Sequence, residues 1–171
     1  PNEDAIYAAY GNQLQIFSYN DKTNSISKTA HPFDFKVKFG DNLGGFGYSE
    51  LNRKIWYAAL NNGTFLYSKD AGETWTKSLY NSTKSRANDQ YYNYAKNQIT
   101  IRASENDTNR VYYAGVGNSL LISTDAGRTF TLKNTGLTAS RIRDFVVTPD
   151  DKFVFAACGY GSNAGNRNGE R

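Results

Sequence analysis

The sequence predicts an all-β protein, organised as a segment of a β-propeller with four-stranded antiparallel blades. The composition is one reason: the 171 residues include 13 Tyr, 10 Phe and 15 Gly but only 3 Pro. Tyrosine and phenylalanine favour strands, and glycine favours the turns between them. A repeat is the second reason, because the pattern Ser-x-Asp-x-Gly-x-Thr-aromatic occurs at 68–75 and again at 123–130. Repetition of one strand-rich unit is typical of propellers.

The predicted strands recur in a fixed order along the chain. Short β-rich runs that end in small residues lie at 5–10, 54–59, 110–115 and 152–157. A second strand-like run follows the first three of them, at 14–19, 64–68 and 119–123, and then a third, at 25–29, 74–79 and 129–133. A further run precedes the last three, at 46–49, 99–103 and 142–148. Each complete unit therefore contains four short strands joined by turns, and no segment shows a helical period.

This order divides the chain into blades. We predict a partial blade at 1–35, complete blades at 46–79 and 99–133, a partial blade at 141–158 and a Gly/Asn-rich tail at 159–171. Closed propellers typically need roughly four to eight blades. We therefore expect this segment to belong to a larger propeller, whose other blades come from other chains or from sequence that is missing here.

Charge and composition exclude several functions. The formal net charge is +4, but Lys and Arg are scattered and form no basic stripe, so we predict no nucleic-acid partner. No apolar run approaches the roughly 20 residues of a membrane-spanning helix. One His and one Cys are too few for a metal cluster, and we predict no cofactor. Cys158 is expected to be a buried small apolar residue. Sequons at Asn62, Asn81 and Asn106 favour an extracellular or cell-surface location.

The repeated motif has the chemistry of a turn lock. Its Asp can accept hydrogen bonds from nearby backbone N–H groups, and its Gly supplies a left-handed backbone position. The pattern resembles the Asp-box, or BNR repeat, of sialidases, family 74 glycoside hydrolases (xyloglucanases), sortilin-type receptors and photosystem II assembly factors. In those families the Asp-box joins the third and fourth strands of a blade, away from the active site. The resemblance therefore implies structural roles for Ser68, Asp70, Gly72, Thr74 and Trp75, and for Ser123, Asp125, Gly127, Thr129 and Phe130.

Among these families the resemblance is nearest to the xyloglucanases. Arg141-Ile142-Arg143 lacks the proline of the Arg-Ile-Pro element of sialidases, which disfavours that family. The stretch 106–157 is similar to family 74 glycoside hydrolases in the order of its strand, Asp-box, Asn-Thr-Gly-Leu link and closing strand. Sortilin-type propellers have a similar order of strands and turns.

Strand topology predicts where a ligand would bind. In an antiparallel blade the turns after strands 1 and 3 share one face, and the 2–3 loops and the links between blades share the other. Because the Asp-boxes mark the first face, we expect a ligand on the second. The link 80–97 belongs there and carries tyrosines suited to stacking on sugar rings, beside polar side chains. The candidate ligand-binding residues are Asp41 of the earlier link at 30–45 and, in the link 80–97, Arg86, Asp89, Tyr91, Tyr92 and Tyr94.

Competing interpretations remain for these residues. The tyrosines of the link could instead pack against neighbouring blades, and His31 is expected to be a surface or hydrogen-bonded residue. Glycoside hydrolysis needs two facing carboxyl groups. Asp34, Asp41 and Asp89 are the carboxylates that topology assigns to this face, but no motif marks any of them as catalytic. The sequence thus supports an extracellular propeller that hydrolyses or binds glycan, or else a non-enzymatic propeller for adhesion, receptor binding or assembly.

Overall fold

The computed structural model describes residues 5–81, 99–114, 120–133, 135 and 142–158. These residues form thirteen strands and one short helix, α1 (Phe35–Phe39). In chain order the strands are β1 (Ala5–Tyr10), β2 (Gln13–Asn20), β3 (Ser25–Ala30), β4 (Leu43–Tyr48), β5 (Trp56–Leu60), β6 (Thr64–Ser68), β7 (Thr76–Asn81), β8 (Thr100–Ala103), β9 (Val111–Ala114), β10 (Leu120–Ser123), β11 (Thr131–Lys133), β12 (Ile142–Val147) and β13 (Val154–Cys158).

The strands form four antiparallel sheets that follow one another along the chain. The first sheet has the order β1-β2-β3, the second β4-β5-β6-β7, the third β8-β9-β10-β11 and the fourth β12-β13. Neighbouring strands in each sheet are consecutive in sequence, as in a meander, because short turns join antiparallel strands. Two four-stranded sheets flanked by two smaller ones confirm the predicted fold class, an all-β partial propeller.

The second sheet shows why these sequences form fully buried strands. Along β5, Trp56, Ala58 and Leu60 pack toward the first sheet. The alternate residues Tyr57 and Ala59 pack toward the third sheet. Because side chains alternate across a strand, a sheet covered on both sides needs apolar residues at every position. All five residues of β5 are accordingly buried.

Aromatic rings fill the space between the first and second sheets. The Tyr7 ring lies 5.6 Å from the Trp56 ring and 5.8 Å from the Phe46 ring. The Phe46 ring meets Trp56 edge-on at 5.3 Å. Between the second and third sheets, Phe65 lies 5.2 Å from Tyr113. Offset and edge-on pairs of this kind add about 0.5–1.5 kcal/mol each beyond area burial, so aromatic packing is a main source of cohesion between sheets.

The helix α1 lies in the link between the first and second sheets and was not predicted from the sequence. Asp34 caps its N-terminus by accepting a hydrogen bond from the Val37 N–H at 2.9 Å. Gly40 closes it with a φ of 85°, a left-handed conformation that glycine adopts without strain. Five residues are too few to display a helical period, which explains why the sequence pattern missed it.

Glycines allow the second and third sheets to approach closely along β4 and β8. A Cβ at Gly45 would lie 2.3 Å from the Ile99 Cγ2 atom, and one at Gly47 would lie 2.9 Å from the Ile101 Cγ2 atom. At distances this short, the isoleucine side chain or one of the two strands would have to move. The absence of side chains at these glycines of β4 therefore sets the distance between the second and third sheets.

Gly45→Ala should lower the free energy of unfolding by about 1–3 kcal/mol, because the added methyl group overpacks the contact with Ile99. Denaturant unfolding of the purified chain measures this change. The double variant Gly45→Ala/Ile99→Ala should recover part of the loss relative to the sum of the single variants. Additive effects of the two substitutions would contradict the proposed close contact.

Candidate functional site

The first copy of the repeated motif, which resembles an Asp-box and is called the first Asp-box loop below, is a closed hydrogen-bonded loop between β6 and β7. The Ser68 hydroxyl donates to Asp70 Oδ1 at 2.7 Å and accepts from the Gly72 N–H at 2.9 Å. Asp70 Oδ1 also accepts from the Thr74 N–H at 2.9 Å, and Asp70 Oδ2 accepts from the Thr74 hydroxyl. Ala71 and Gly72 have φ values of 57° and 88°, so the chain reverses through two left-handed positions. Both carboxylate oxygens of Asp70 therefore bond within the loop.

The second Asp-box repeats this geometry between β10 and β11. Ser123 donates to Asp125 Oδ1 at 2.8 Å and accepts from the Gly127 N–H at 2.9 Å. Thr129 donates to the same carboxylate from its N–H at 2.8 Å and from its hydroxyl at 2.6 Å. Ala126 and Gly127 have φ values of 57° and 87°. The two copies therefore share one hydrogen-bond pattern, in which the Asp carboxylate is bonded to the Ser and Thr residues of its own turn.

Hydrogen bonding lowers the pKa of both Asp-box carboxyl groups. For Asp70 the hydroxyl and the N–H of Thr74 are the main causes. For Asp125 partial burial acts in the opposite direction, but the bonds from Thr129 and Ser123 outweigh it. A carboxyl group with a lowered pKa stays ionised at neutral pH and is a poor proton donor. Both groups are thus better suited to holding a turn than to general acid catalysis.

The second Asp-box loop also contacts the preceding sheet. The Arg128 carbonyl oxygen accepts hydrogen bonds from the Leu79 N–H at 2.8 Å and the Ser78 hydroxyl at 2.9 Å, both from β7. A Cβ at Gly127 would lie 3.0 Å from the Phe65 ring of the second sheet. The aromatic residue that ends the motif packs in the same interface, since the Phe130 ring lies 4.7 Å from Phe65. The loop therefore joins two sheets as well as two strands.

The only histidine of the chain packs against the first Asp-box. The His31 ring lies 5.5 Å from the Trp56 ring, and its Nε2 atom would lie 3.3 Å from a Cβ at Gly72. Its Nδ1 atom accepts a hydrogen bond from the Phe33 N–H at 3.3 Å. Burial lowers the pKa of His31, although the Ala71 backbone and the Glu73 charge act against that shift. The neutral ring is therefore the form that fits this contact, in line with the expected hydrogen-bonded residue.

A second repeated turn, which the sequence analysis missed, lies on the same side of the sheets as the Asp-boxes. The Ser49 N–H donates to the Ile55 carbonyl oxygen, and the Ser104 N–H donates to the Arg110 carbonyl oxygen, both at 3.0 Å. Both serine side chains are buried. The signal was present as Ser49-Glu50 and Ser104-Glu105, which are separated by the same interval as the two Asp-boxes. This turn gives the second and third sheets a second set of polar contacts, between the first two strands of each sheet.

Asp151 extends the second turn into a contact between the third and fourth sheets. Its side chain is only 5% exposed, and its φ of 58° is unusual for a residue other than glycine. It accepts hydrogen bonds from the Ser104 hydroxyl at 2.5 Å and the Tyr112 hydroxyl at 3.1 Å, and Arg110 lies 3.6 Å away. This buried carboxylate is fully engaged in joining sheets, so we assign it a structural role.

On the opposite side, Asp41 lies in the link that leads into β4. Its half-buried carboxylate accepts a hydrogen bond from the Asn42 N–H at 2.8 Å. The Asn42 carbonyl oxygen in turn accepts from the Asn61 N–H at 3.0 Å, which joins the link to the loop between β5 and β6. Asp41 is therefore at the end of the second sheet that is remote from its Asp-box. The other five candidate residues, Arg86, Asp89, Tyr91, Tyr92 and Tyr94, lie outside the described residues.

Much of the first link packs against the fold instead of lining an open face. The Phe35 ring lies 5.1 Å from the Trp75 ring of the first Asp-box. Asp34 accepts from Asn12 Nδ2 in addition to Val37 at the N-terminus of α1. Asp34 is thus committed to holding the link in place, and Asp41 is the better ligand candidate of the two.

The described part of the chain offers few other groups suited to chemistry. It contains no group of three or more His, Cys, Asp or Glu residues that could hold a metal ion. None of the described helices is long and apolar enough to cross a membrane. An open depression of about 320 Å³ lies beside the first Asp-box, where it is lined by Tyr67, Ser68, Lys69, Thr74 and Thr76. Ser68 and Thr74 already bond within the loop, so this depression offers few free polar groups.

Cys158, expected to be buried, is half-buried at the end of β13.

The fold is similar to that of solved GH74 enzymes. An ancestral GH74 enzyme matches with a TM-score of 0.59 and 14% identity, over 91% of this chain and 20% of that one. A GH74 enzyme of Niastella koreensis matches with a TM-score of 0.56 and 18% identity, over 91% of this chain and 24% of that one. The GH74 xyloglucanase of Xanthomonas campestris matches with a TM-score of 0.57 and 19% identity, over 87% and 24%.

These similarities concern the fold. No protein-family model matches the chain, and no curated protein matches it. The chain spans about a fifth to a quarter of the length of the three structures. At identities below 20% the shared feature is the propeller-type arrangement of antiparallel sheets.

Asp70→Asn should destabilise the chain by about 1–2 kcal/mol at neutral pH, because an amide cannot accept both the Ser68 and Thr74 bonds as a carboxylate does. Since folding lowers the pKa of Asp70, its stabilising effect is present above the ordinary carboxyl value of about 3.9 and is lost as the pH falls below it. The difference in the free energy of unfolding between wild type and variant should therefore become smaller below about pH 4. Urea unfolding at several pH values measures it.

Asp21→Asn, at an exposed carboxyl group in the turn between β2 and β3, is the matched control. Its effect should stay within about 0.5 kcal/mol. An Asp70→Asn variant as stable as this control would contradict the turn-locking role.

Protonation of His31 should destabilise the fold. Because burial lowers the pKa of His31 in the folded chain, the unfolded chain binds the proton more tightly. The stabilising effect is therefore present above the unfolded value of about 6.5 and is lost as the pH falls through it. Between pH 7 and pH 5 the free energy of unfolding of wild type should fall as His31 becomes protonated. The variant His31→Gln should lose less stability over the same pH range. An NMR titration of this single histidine that gave a pKa above 6.5 would contradict the prediction.

Proposed function

We propose that this chain is a segment of an extracellular Asp-box β-propeller that handles carbohydrate, either as a hydrolase similar to family 74 or as a glycan-binding protein. The observation that carries the proposal is the similarity of fold to three GH74 enzymes over about nine-tenths of the chain. One of those proteins is a xyloglucanase. The two Asp-box loops at equivalent turns of the second and third sheets are consistent with the same relationship.

The proposed ligand face is the side of the sheets remote from the Asp-box loops. Asp41 is the described candidate there, and its half-buried carboxylate retains an oxygen that accepts none of the hydrogen bonds given by the described residues. Such an oxygen can accept hydrogen bonds from sugar hydroxyl groups. The proposal assigns Tyr91, Tyr92 and Tyr94 to stacking on sugar rings, which their flat apolar faces and polar tips suit. Arg86 and Asp89 would bind hydroxyl groups beside them.

A non-enzymatic propeller, used for adhesion, receptor binding or structural assembly, is the alternative. One observation favours it: the carboxylates of Asp34 and Asp151 are already bound within the fold. Asp34 is used to cap α1, and Asp151 lies buried on the other side. Hydrolysis needs two carboxyl groups about 5–9 Å apart. In either case the proposal includes further blades, from other chains or from additional sequence, and an extracellular location in keeping with the three sequons.

Release of reducing sugar from xyloglucan and related β-glucans tests the hydrolase, and binding of their oligosaccharides by calorimetry tests the binding protein. Tyr91→Ala and Tyr92→Ala should each weaken oligosaccharide binding by about two- to tenfold, because one stacked aromatic ring contributes about 0.5–1.5 kcal/mol. Asp41→Asn should weaken binding by a similar factor, because one hydrogen bond to a sugar hydroxyl is weakened.

Two control variants match these substitutions on the other side of the sheets. Asp150→Asn removes an exposed carboxylate from the turn between β12 and β13, and Tyr19→Ala removes an exposed ring from β2. Both should leave binding unchanged. The absence of both sugar release and oligosaccharide binding would overturn the carbohydrate proposal and favour the non-enzymatic alternative.

A further inference from the structure

Three asparagines of the chain stand in the pattern Asn-x-Thr, the acceptor sequence of N-linked glycosylation: Asn62, Asn81 and Asn106. The structure describes two of these sequons in full, at 62–64 in the loop that enters β6 and at 106–108 in the turn between β8 and β9. The sequon of Asn81 continues outside the described residues. Because both described sequons have threonine at the third position, the surroundings of the acceptor amide are what distinguish them.

The amide group of Asn62 is oriented by its oxygen. Asn62 Oδ1 accepts a hydrogen bond from the Thr64 N–H at 2.9 Å, which makes an Asx-turn. Since only the oxygen of an amide can accept this bond, the orientation of the group is fixed and Nδ2 points away from the Thr64 N–H. Nδ2 donates none of the hydrogen bonds found among the described residues. The acceptor nitrogen of this sequon is therefore not used to hold the described fold together.

The backbone around Asn62 is fixed by a tight turn. The Gly63 N–H donates a hydrogen bond to the Leu60 carbonyl oxygen at 2.9 Å. Gly63 has a φ of 85°, a left-handed conformation that glycine adopts without strain. Asn62 therefore lies at the tip of the loop between β5 and β6, on the side of the sheets that is remote from the Asp-box loops. This loop belongs to the second sheet, which packs between the first and the third.

The amide group of Asn106 is used by the fold. Asn106 Nδ2 donates a hydrogen bond to the Pro149 carbonyl oxygen, in the turn between β12 and β13. The Asn106 backbone N–H donates to the Ser104 hydroxyl oxygen at 2.9 Å. Asn106 thus joins the third sheet to the fourth, beside the contact of Ser104 with Asp151. A sugar attached to Nδ2 would have to fit into this contact between two sheets.

Exposure of the whole side chain would favour the other sequon, because Asn106 is exposed whereas Asn62 is half-buried. The sugar, however, is attached to the amide nitrogen, so the hydrogen bonding of Nδ2 decides whether the folded chain accommodates it. Asn62 leaves this nitrogen outside the hydrogen bonds of the described residues, and Asn106 does not. The two criteria therefore predict opposite results for the two sequons.

We propose that, of the two described sequons, Asn62 carries an N-linked glycan and Asn106 does not. The co-reactant is an oligosaccharide linked to a lipid through a diphosphate. A bond forms between Asn62 Nδ2 and the anomeric carbon of the first sugar, and the bond from that carbon to the diphosphate oxygen breaks. Nδ2 loses one proton, and the lipid diphosphate leaves with the electron pair of the broken bond. This inference rests on the extracellular location that is part of the proposed function.

Production of the chain behind a secretion signal in a yeast host, followed by peptide mapping with mass spectrometry, tests the proposal. Removal of N-linked glycans by a peptide N-glycosidase in heavy-oxygen water converts each occupied Asn to a labelled Asp, so every sequon is scored separately. Asn62 should be labelled in most molecules and Asn106 in few. The same mapping of chain isolated from the endoplasmic reticulum gives the result if secretion is poor.

Variants at the third position of each sequon provide the controls. Thr64→Ala removes the hydroxyl group that the sequon requires but keeps Asn62 and the backbone N–H that orients it, so the label at Asn62 should be lost. Thr64→Ser restores a hydroxyl group and should restore the label. Thr108→Ala, in the sequon of Asn106, is the matched control and should leave labelling of Asn62 unchanged.

An unlabelled Asn62 would overturn the proposal. Labelling of Asn106 equal to or greater than that of Asn62 would overturn it as well, because modification would then follow exposure of the side chain and not the hydrogen bonding of its nitrogen. The host supplies the secretion signal, so neither result depends on the natural location of the protein. Failure of the unglycosylated chain from bacteria to release sugar or to bind oligosaccharide would bear on the carbohydrate proposal alone.

Discussion

The packing of each sheet between two neighbours is the constraint on which this structure depends. Residues of β5 are buried at every position because alternate side chains face different sheets, Trp56 toward the first and Tyr57 toward the third. Burial of one large apolar side chain contributes about 1.5–3 kcal/mol, so most of the cohesion lies between sheets. Hydrogen bonds within a sheet align the strands, but they do not stack one sheet on the next.

The polar loops follow from that arrangement. Because the sheets bury apolar side chains, hydrogen bonds to backbone groups at the strand ends and polar contacts between sheets come from the turns. The Asp-box loops supply such bonds. Asp70 and Asp125 bind the N–H and hydroxyl groups of their own turns, and the Arg128 carbonyl oxygen binds the preceding sheet. Asp151, in the turn between β12 and β13, also connects two sheets, because it accepts a hydrogen bond from Ser104 of the second repeated turn. One side of the sheets is thus occupied by structural carboxylates, and a ligand is best sought on the other.

The fold restricts the functions to be considered without selecting one. Propellers of the same architecture carry out unrelated tasks, so a functional assignment must rest on a site. The proposed ligand site is represented in the described residues by Asp41, which lies beside the loop between β5 and β6. The similarity to GH74 enzymes makes carbohydrate the first ligand to test.

Local patterns in the sequence were enough to predict the all-β class and the two repeated turns, because strand alternation and turn chemistry depend on residues close together in the chain. They also indicated which side of the sheets carries Asp41. The capping of α1 by Asp34 and the packing of His31 on Trp56 became visible in the folded chain alone. The contact of Asp151 with Ser104 likewise joins residues that are distant in sequence. Such contacts depend on how whole sheets stack, and no local pattern of residue types records that geometry.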